Sequence, residues 1–283
     1  MEGAAKKIRW SRFLGPHSDR GIIVPIDHGL TMGPIPGLDS IPRIESWISH
    51  PGITGIIAHK GMVERLGTRG LLHRRGVMIH INGMTSLAPT PDRKEMLTSV
   101  ERAVRLGADA ISLQLNFDGT NDAHNLTLLG AAVDEADRFG LPVLTMLYDK
   151  APGIPEDQRL SRLRHLMRVC VELGTDALKL AAPKDLSLVP ALLEGVRETT
   201  AVMFAGGEKC RDEELLDLAR AVVIHAAAGL CVGRNVFQSD NPGALLHRLQ
   251  QIVLESNAAP PSRNPLAALP GLVSPAVLRL AND

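Results

Sequence analysis

The 283-residue chain has little cysteine, few aromatic residues and no net charge. Its three cysteines, Cys170, Cys210 and Cys231, lie far apart and form no CxxC pair. That argues against a disulfide framework or a zinc knuckle and points to a reduced, cytoplasmic setting. Lys+Arg and Asp+Glu both number 31, so the surface carries no footprint for nucleic acid or an anionic membrane. A local positive site for a small anion stays open. No apolar run reaches membrane-spanning length. The opening MEGAAKKIRW lacks the apolar core of a signal peptide. Aromatics are so sparse that Tyr148 is the single phenol.

What the chain does have is short apolar runs in series. They are Gly21–Ile26, Ile53–Ala58, Val77–Ile81, Asp109–Leu115, Pro142–Leu147, Asp176–Leu180, Ala201–Ala205 and Gly229–Val232. Each is nearly continuous in apolar residues, as parallel strands covered on both faces require. Between them lie one-sided stripes that predict helices over Ser86–Leu106, Asn121–Phe139, Glu156–Leu173 and Asp212–His225. Gly107, Gly140 and Gly174 follow helix ends, where a left-handed cap costs little. Eight strands alternating with helices predict the α/β class and a (β/α)8 TIM barrel. An open doubly wound sheet fits less well, because Asp27-His28-Gly29 after strand 1 is not GxGxxG. A single barrel is expected over 21–256. A basic amphipathic segment over 1–20 would close its floor, and a Pro-rich extension would occupy 257–283.

Barrel enzymes work at the C-terminal ends of their strands. Those ends carry Asp27 and His28, His59 and Lys60, His80, Gln114 and Asn116, Tyr148, Lys179, Gly206 and Gly207, and Gly233 and Arg234. Lys179 lies inside the apolar run Ala177–Ala181. Desolvation there should lower its pKa and free the amine as a nucleophile; a lysine that snorkels or pairs with a carboxylate is the plainer reading. Lys60, Lys150, Lys184 and Lys209 follow strands and look more solvated. Tyr148 could move protons, or rest as an amphipathic rim residue. Asp27 could be an acid/base or a turn cap, and His28 a substrate contact or a loop tie. Gly206-Gly207 and Gly233-Arg234 suit a phosphate held by the loops after strands 7 and 8; ordinary glycine turns are the alternative. His28, His59 and His80 with Asp27 raise zinc, but no HxH or HExxH spacing supports it.

These residues fall into motifs that resemble a known family. Val24–Gly29 followed by Gly33–Leu38, His59-Lys60-Gly61, Ile79-His80-Ile81, Gly107–Ala110, Met146-Leu147-Tyr148, Ala205–Lys209 and Val232–Gln238 are similar to archaeal-type class I aldolases. Within that family they are nearest to 2-amino-3,7-dideoxy-D-threo-hept-6-ulosonate synthases and class I fructose-bisphosphate aldolases. The resemblance runs in order from about Phe13 to about Glu255. It implies a Schiff-base lysine at Lys179, a tyrosine acid/base at Tyr148 and an aspartate at Asp27. It also implies a phosphate site at Gly206, Gly207, Gly233 and Arg234, with His28 and Gln114 beside the substrate. It further implies no cofactor, a phosphorylated ketose such as dihydroxyacetone phosphate, an aldehyde partner such as aspartate semialdehyde, and a homo-oligomer built on pentamer rings. Rival readings are a Schiff-base thiolase on a phosphorylated diketone, a metal-dependent lyase or isomerase, and a non-catalytic phosphosugar sensor. The chain departs from the family pattern at Gln114-Leu115-Asn116, at Leu180–Asp185 and at Asp149–Gly153, positions expected to face the acceptor.

Overall fold

The structure, a computed structural model, describes residues 3–256; the expected extension over 257–283 lies outside the described residues. All eight predicted strands form: β1 (Gly21–Pro25), β2 (Gly55–Ala58), β3 (Gly76–His80), β4 (Ala110–Phe117), β5 (Val143–Asp149), β6 (Ala177–Ala181), β7 (Ala201–Ala205) and β8 (Gly229–Cys231). They pair in parallel and close in the order β1-β8-β7-β6-β5-β4-β3-β2. This is the (β/α)8 barrel that the alternation of apolar runs and helical stripes predicts.

The strands are buried on both faces because helices pack outside and side chains fill the lumen. Outward residues such as Ile22, Ile56, Ile111 and Val202 join the large core under the helices. Inward residues form a second core: Ile23, Ile57, Met78, Ala110, Leu144, Met146, Ala177, Met203 and Cys231. This alternation fixes which residues reach the mouth. Going up from Ile23, Met78, Ala110, Leu144 and Ala177 in steps of two brings Asp27, His80, Gln114, Tyr148 and Lys179 onto the inner side.

The floor is closed from below. The helix Ala4–Trp10 and the 3-10 turn Ser11–Phe13 bring Phe13, fully buried, under β1, β2 and β3. Gly21, Gly55 and Gly76 make room for it, since a Cβ at any of the three would collide with Phe13. Ion pairs hold the segment in place, Lys6 with Asp137 (2.5 Å) and Asp176 (2.8 Å) and Arg12 with Asp109.

Three of the four predicted helices form, as Asp122–Phe139, Glu156–Glu172 and Asp212–Ile224. Gly107, Gly140 and Gly174 all have positive φ, as the stop signals require. The fourth does not form. Of Ser86–Leu106 only Val100–Arg105 is helical, capped by the Ser99 side chain accepting from the Arg102 N–H. Pro89 and Pro91 each remove a donor and clash with a preceding turn. The segment instead crosses the barrel mouth, and Asn82–Gly83 pairs antiparallel with Glu95–Met96 as a short arm.

Candidate active site

Lys179 sits on β6 in register with Met146 of β5 and Met203 of β7. It is only 6% exposed. Its Nζ lies 3.7 Å from Met146 Sδ, a weak partner, and no carboxylate is bonded to it among the described residues. The expected fall of its pKa does not occur. Burial lowers it, but Tyr148, Cys231 and Asp27 raise it further than burial depresses it. The resting side chain is therefore an ammonium. The other lysines weighed for this role, Lys60, Lys150, Lys184 and Lys209, are exposed.

Asp27 faces Lys179 from β1. Its Oδ2 lies 3.7 Å from His80 Nε2 and its Oδ1 lies 3.5 Å from His28 Nδ1. Burial would raise its pKa, but His80, His28, Lys179 and His59 hold it down at about 2. It is an anion throughout the physiological range, ready to accept a proton rather than to give one. His80 is driven down to about 3, first by burial, and His28 and His59 are lowered for the same first reason. All three imidazoles are neutral at pH 7.

Their ring nitrogens face different partners. His80 Nδ1 meets Ser112 Oγ at 2.9 Å and His59 Nδ1 meets the His80 carbonyl at 3.1 Å. His28 Nδ1 is buried with no hydrogen-bond partner. Among the described residues no three His, Cys, Asp or Glu groups gather as metal ligands. His28 thus keeps an unused polar atom beside Asp27.

On the β7 and β8 side the loop of Gly206 and Gly207 lies against that of Gly233 and Arg234, joined by Asn235. Gly207 has φ +69°, and a Cβ on Gly233 would strike His28 and the Pro25 carbonyl. Arg234 is half-buried and within electrostatic reach of His28; its guanidinium has no ion pair among the described residues. The loop after β7 is held by Asn235, whose amide donates to the Gly206 (3.0 Å) and Glu208 (3.1 Å) carbonyls and accepts from the Cys210 N–H (2.8 Å).

On the opposite side Gln114 donates to Asn116 (2.9 Å), and its backbone exchanges hydrogen bonds with the Asn82 side chain. Asn116 donates to Asp92, which pairs with Lys150. Two of the family departures are tied down outside the mouth: Asp149 binds Arg162 at 2.9 Å and Asp185 caps Ser187.

Sequence reading missed Asn235, Ser112 and Lys94. Asn235 lay in a motif and Ser112 in a predicted strand, but neither was given a task. Lys94 was hidden by its assignment to a helix. It is 3% exposed on the mouth-crossing segment, and burial, then Lys150, lowers its pKa against the opposing pull of Asp92 and Asp27.

The profile of the DeoC/LacD family aldolases matches residues 21–239. The 2-amino-4,5-dihydroxy-6-oxo-7-(phosphonooxy)heptanoate synthase of Streptomyces griseus is 29% identical over 273 residues, covering 94% of this chain and 97% of the relative. The 2-amino-3,7-dideoxy-D-threo-hept-6-ulosonate synthase 1 of Archaeoglobus fulgidus is 33% identical, covering 88% and 90%. Among solved structures, an archaeal fructose 1,6-bisphosphate aldolase superposes with a TM-score of 0.77 at 23% identity, covering 88% of this chain and 99% of that one. A closed parallel barrel carrying a buried lysine at its mouth, and matches of this extent, establish that the chain belongs to the DeoC/LacD family of aldolases.

Proposed function

We propose that this enzyme joins a ketose phosphate to an amino-acid semialdehyde through a Schiff base on Lys179, without a metal or organic cofactor. The observation that carries the proposal is Lys179, buried at the lumen wall with Tyr148 and Asp27 as its polar neighbours.

The products named for two relatives support the substrates. Both have a carbonyl at C6 and hydroxyls at C4 and C5. Reversing the aldol addition cleaves C4–C5, and in both the C1–C4 half is aspartate semialdehyde. The other half is dihydroxyacetone phosphate in the Streptomyces product and hydroxyacetone, with a methyl at C7, in the Archaeoglobus one. The unpaired Arg234 beside Gly206, Gly207 and Gly233 favours the phosphorylated donor here.

In this reading the phosphate rests on those loops, the Lys179 ammonium gives a proton to Asp27, and the freed amine adds to the donor ketone. Tyr148 supplies and removes the protons as water leaves and the iminium forms. The iminium withdraws electrons, so the neighbouring hydroxymethylene carbon loses a proton to Tyr148, which gave its own as water left, and an enamine forms. That carbon bonds to the aldehyde carbon. Asp27, with His28 beside it, returns the proton taken from Lys179 to the aldehyde oxygen as it becomes the C4 hydroxyl, and hydrolysis of the iminium restores Lys179.

Borohydride trapping with dihydroxyacetone phosphate tests this, read by intact and peptide mass spectrometry with a chelator in parallel. The expected result is one adduct on Lys179 that survives the chelator and is absent from Lys179→Ala. No adduct on any lysine across a panel of ketose phosphates would overturn it, and turnover only with coenzyme A would turn the reading to a thiolase.

A further inference from the structure

Lys94 is a buried cation at the barrel mouth that the proposed chemistry does not use. Its Nζ makes one hydrogen bond, to the Pro91 carbonyl at 2.8 Å. An ammonium carries three donors, so two remain, and no carboxylate pairs with it among the described residues. Burying an ammonium this far without a counter-ion is costly, which is the signature of a group whose partner arrives with the substrate.

The backbone around it is held firmly. The Asn82–Gly83 and Glu95–Met96 arm anchors it, His124 Nε2 meets the Lys94 carbonyl at 2.9 Å, and Leu97 and Thr98 both donate to the Ile81 carbonyl. Its position is set before substrate binds, which saves ordering entropy on binding.

The strand order gives its direction. Gly206, Gly207, Gly233 and Arg234 lie over β7 and β8, and Lys179 lies on β6. In the closed order, β3 and β4 stand across the ring from β7 and β8. Lys94 is on the segment that joins β3 to β4. A seven-carbon product with phosphate at one end and C6 at Lys179 must send its other end across the mouth toward that segment. Asp27 and His80 lie on the way and are within electrostatic reach of Lys94.

We propose that Lys94 binds the terminal carboxylate of the acceptor aldehyde, and so selects aldehydes that carry one. The inference rests on the Schiff-base reading above. Lys94 would be a binding and specificity residue and would take no part in proton transfer at Lys179.

The test compares Lys94→Met and Lys94→Arg with the wild type, using dihydroxyacetone phosphate and three acceptors: aspartate semialdehyde, an uncharged aldehyde of similar length, and glyceraldehyde 3-phosphate. Lys94→Met should raise KM for the semialdehyde and cut its kcat/KM relative to the uncharged aldehyde by about 10- to 100-fold, the worth of one hydrogen bond to a charged group. Lys94→Arg should recover part of that ratio. The adduct on Lys179 should form in both variants. Equal losses on charged and uncharged aldehydes, or an unchanged ratio, would overturn the assignment and leave the Schiff-base reading standing. A wild-type preference for the phosphorylated aldehyde, lost in Lys94→Met, would overturn the carboxylate in favour of a second phosphate. A wild type that traps no ketose phosphate would overturn both readings together, and circular dichroism of Lys94→Met separates misfolding from each case.

Discussion

The charge on Lys179 is set by what faces it across the lumen. Its place was legible in the sequence, because a lysine inside Ala177–Ala181 stands out against an apolar strand. Its protonation was not, because Asp27 lies 152 positions away along the chain and meets it only when β1 and β8 close the ring. The folded pKa lies above that of a free lysine, so the free amine is scarce at neutral pH. Its fraction rises about tenfold per pH unit until the pKa is reached. Imine formation should therefore accelerate with pH through the alkaline range. Asp27→Asn removes an anion that favours the ammonium, so the folded pKa falls and the profile moves toward acid. Initial rates of borohydride trapping with dihydroxyacetone phosphate, measured from pH 6 to 10 on both proteins, check this. A profile that stays put or moves toward alkali would mean that Asp27 does not hold Lys179 charged. The same sign logic gives Asp27 its own window. Its folded pKa of about 2 lies below the ordinary carboxylate value, so the stability it contributes is full above pH 4 and lost as pH falls through 2.

Strands and loops differ in how far local sequence determines them. The eight strands read correctly because each is an apolar run with one available role. The segment from Ser86 to Ser99 misread because an apolar stripe at Met96, Val100 and Ala103 outweighed Pro89 and Pro91. In the folded chain Met96 belongs to the arm and only Val100 and Ala103 belong to the helix. That error is what concealed Lys94. The loop after β7 depends on a partner that no local pattern announces. Asn235 presents its NH2 group to two carbonyls and its oxygen to an N–H, an arrangement an amide satisfies and a carboxylate does not. Asn235→Asp would set an acceptor against the Gly206 and Glu208 carbonyls. It should cost roughly 2–4 kcal/mol in urea unfolding. It should also raise KM for the ketose phosphate, because Gly206 and Gly207 lose their support. A variant with wild-type KM and midpoint would show that the loop is held by other means.

Seen whole, the barrel separates stability at its floor from chemistry at its mouth. Phe13 fills the lower lumen, Lys179 and its partners line the upper, and Met78, Met146, Met203 and Cys231 are packed between. The sulfur atoms and alkyl chains of that layer carry no charge at neutral pH, burial holds the Cys231 thiol up at about 11, and the inward Ser112 hydroxyl is taken up by His80 at the mouth. Loss of the Phe13 ring should therefore act on the fold and leave the lysine alone. The glycines that make room for the ring, Gly55 and Gly76, cannot collapse into the void, because they have no side chains to move. Phe13→Ala should thus cost about 3–5 kcal/mol, a fall in Tm of about 10 °C for a barrel of this size. At 20 °C the variant should still trap dihydroxyacetone phosphate on Lys179. An adduct lost while Tm holds would mean that floor and mouth are coupled through the methionine layer. The separation would then fail, and the packing beneath Lys179 would have to be counted as part of the site.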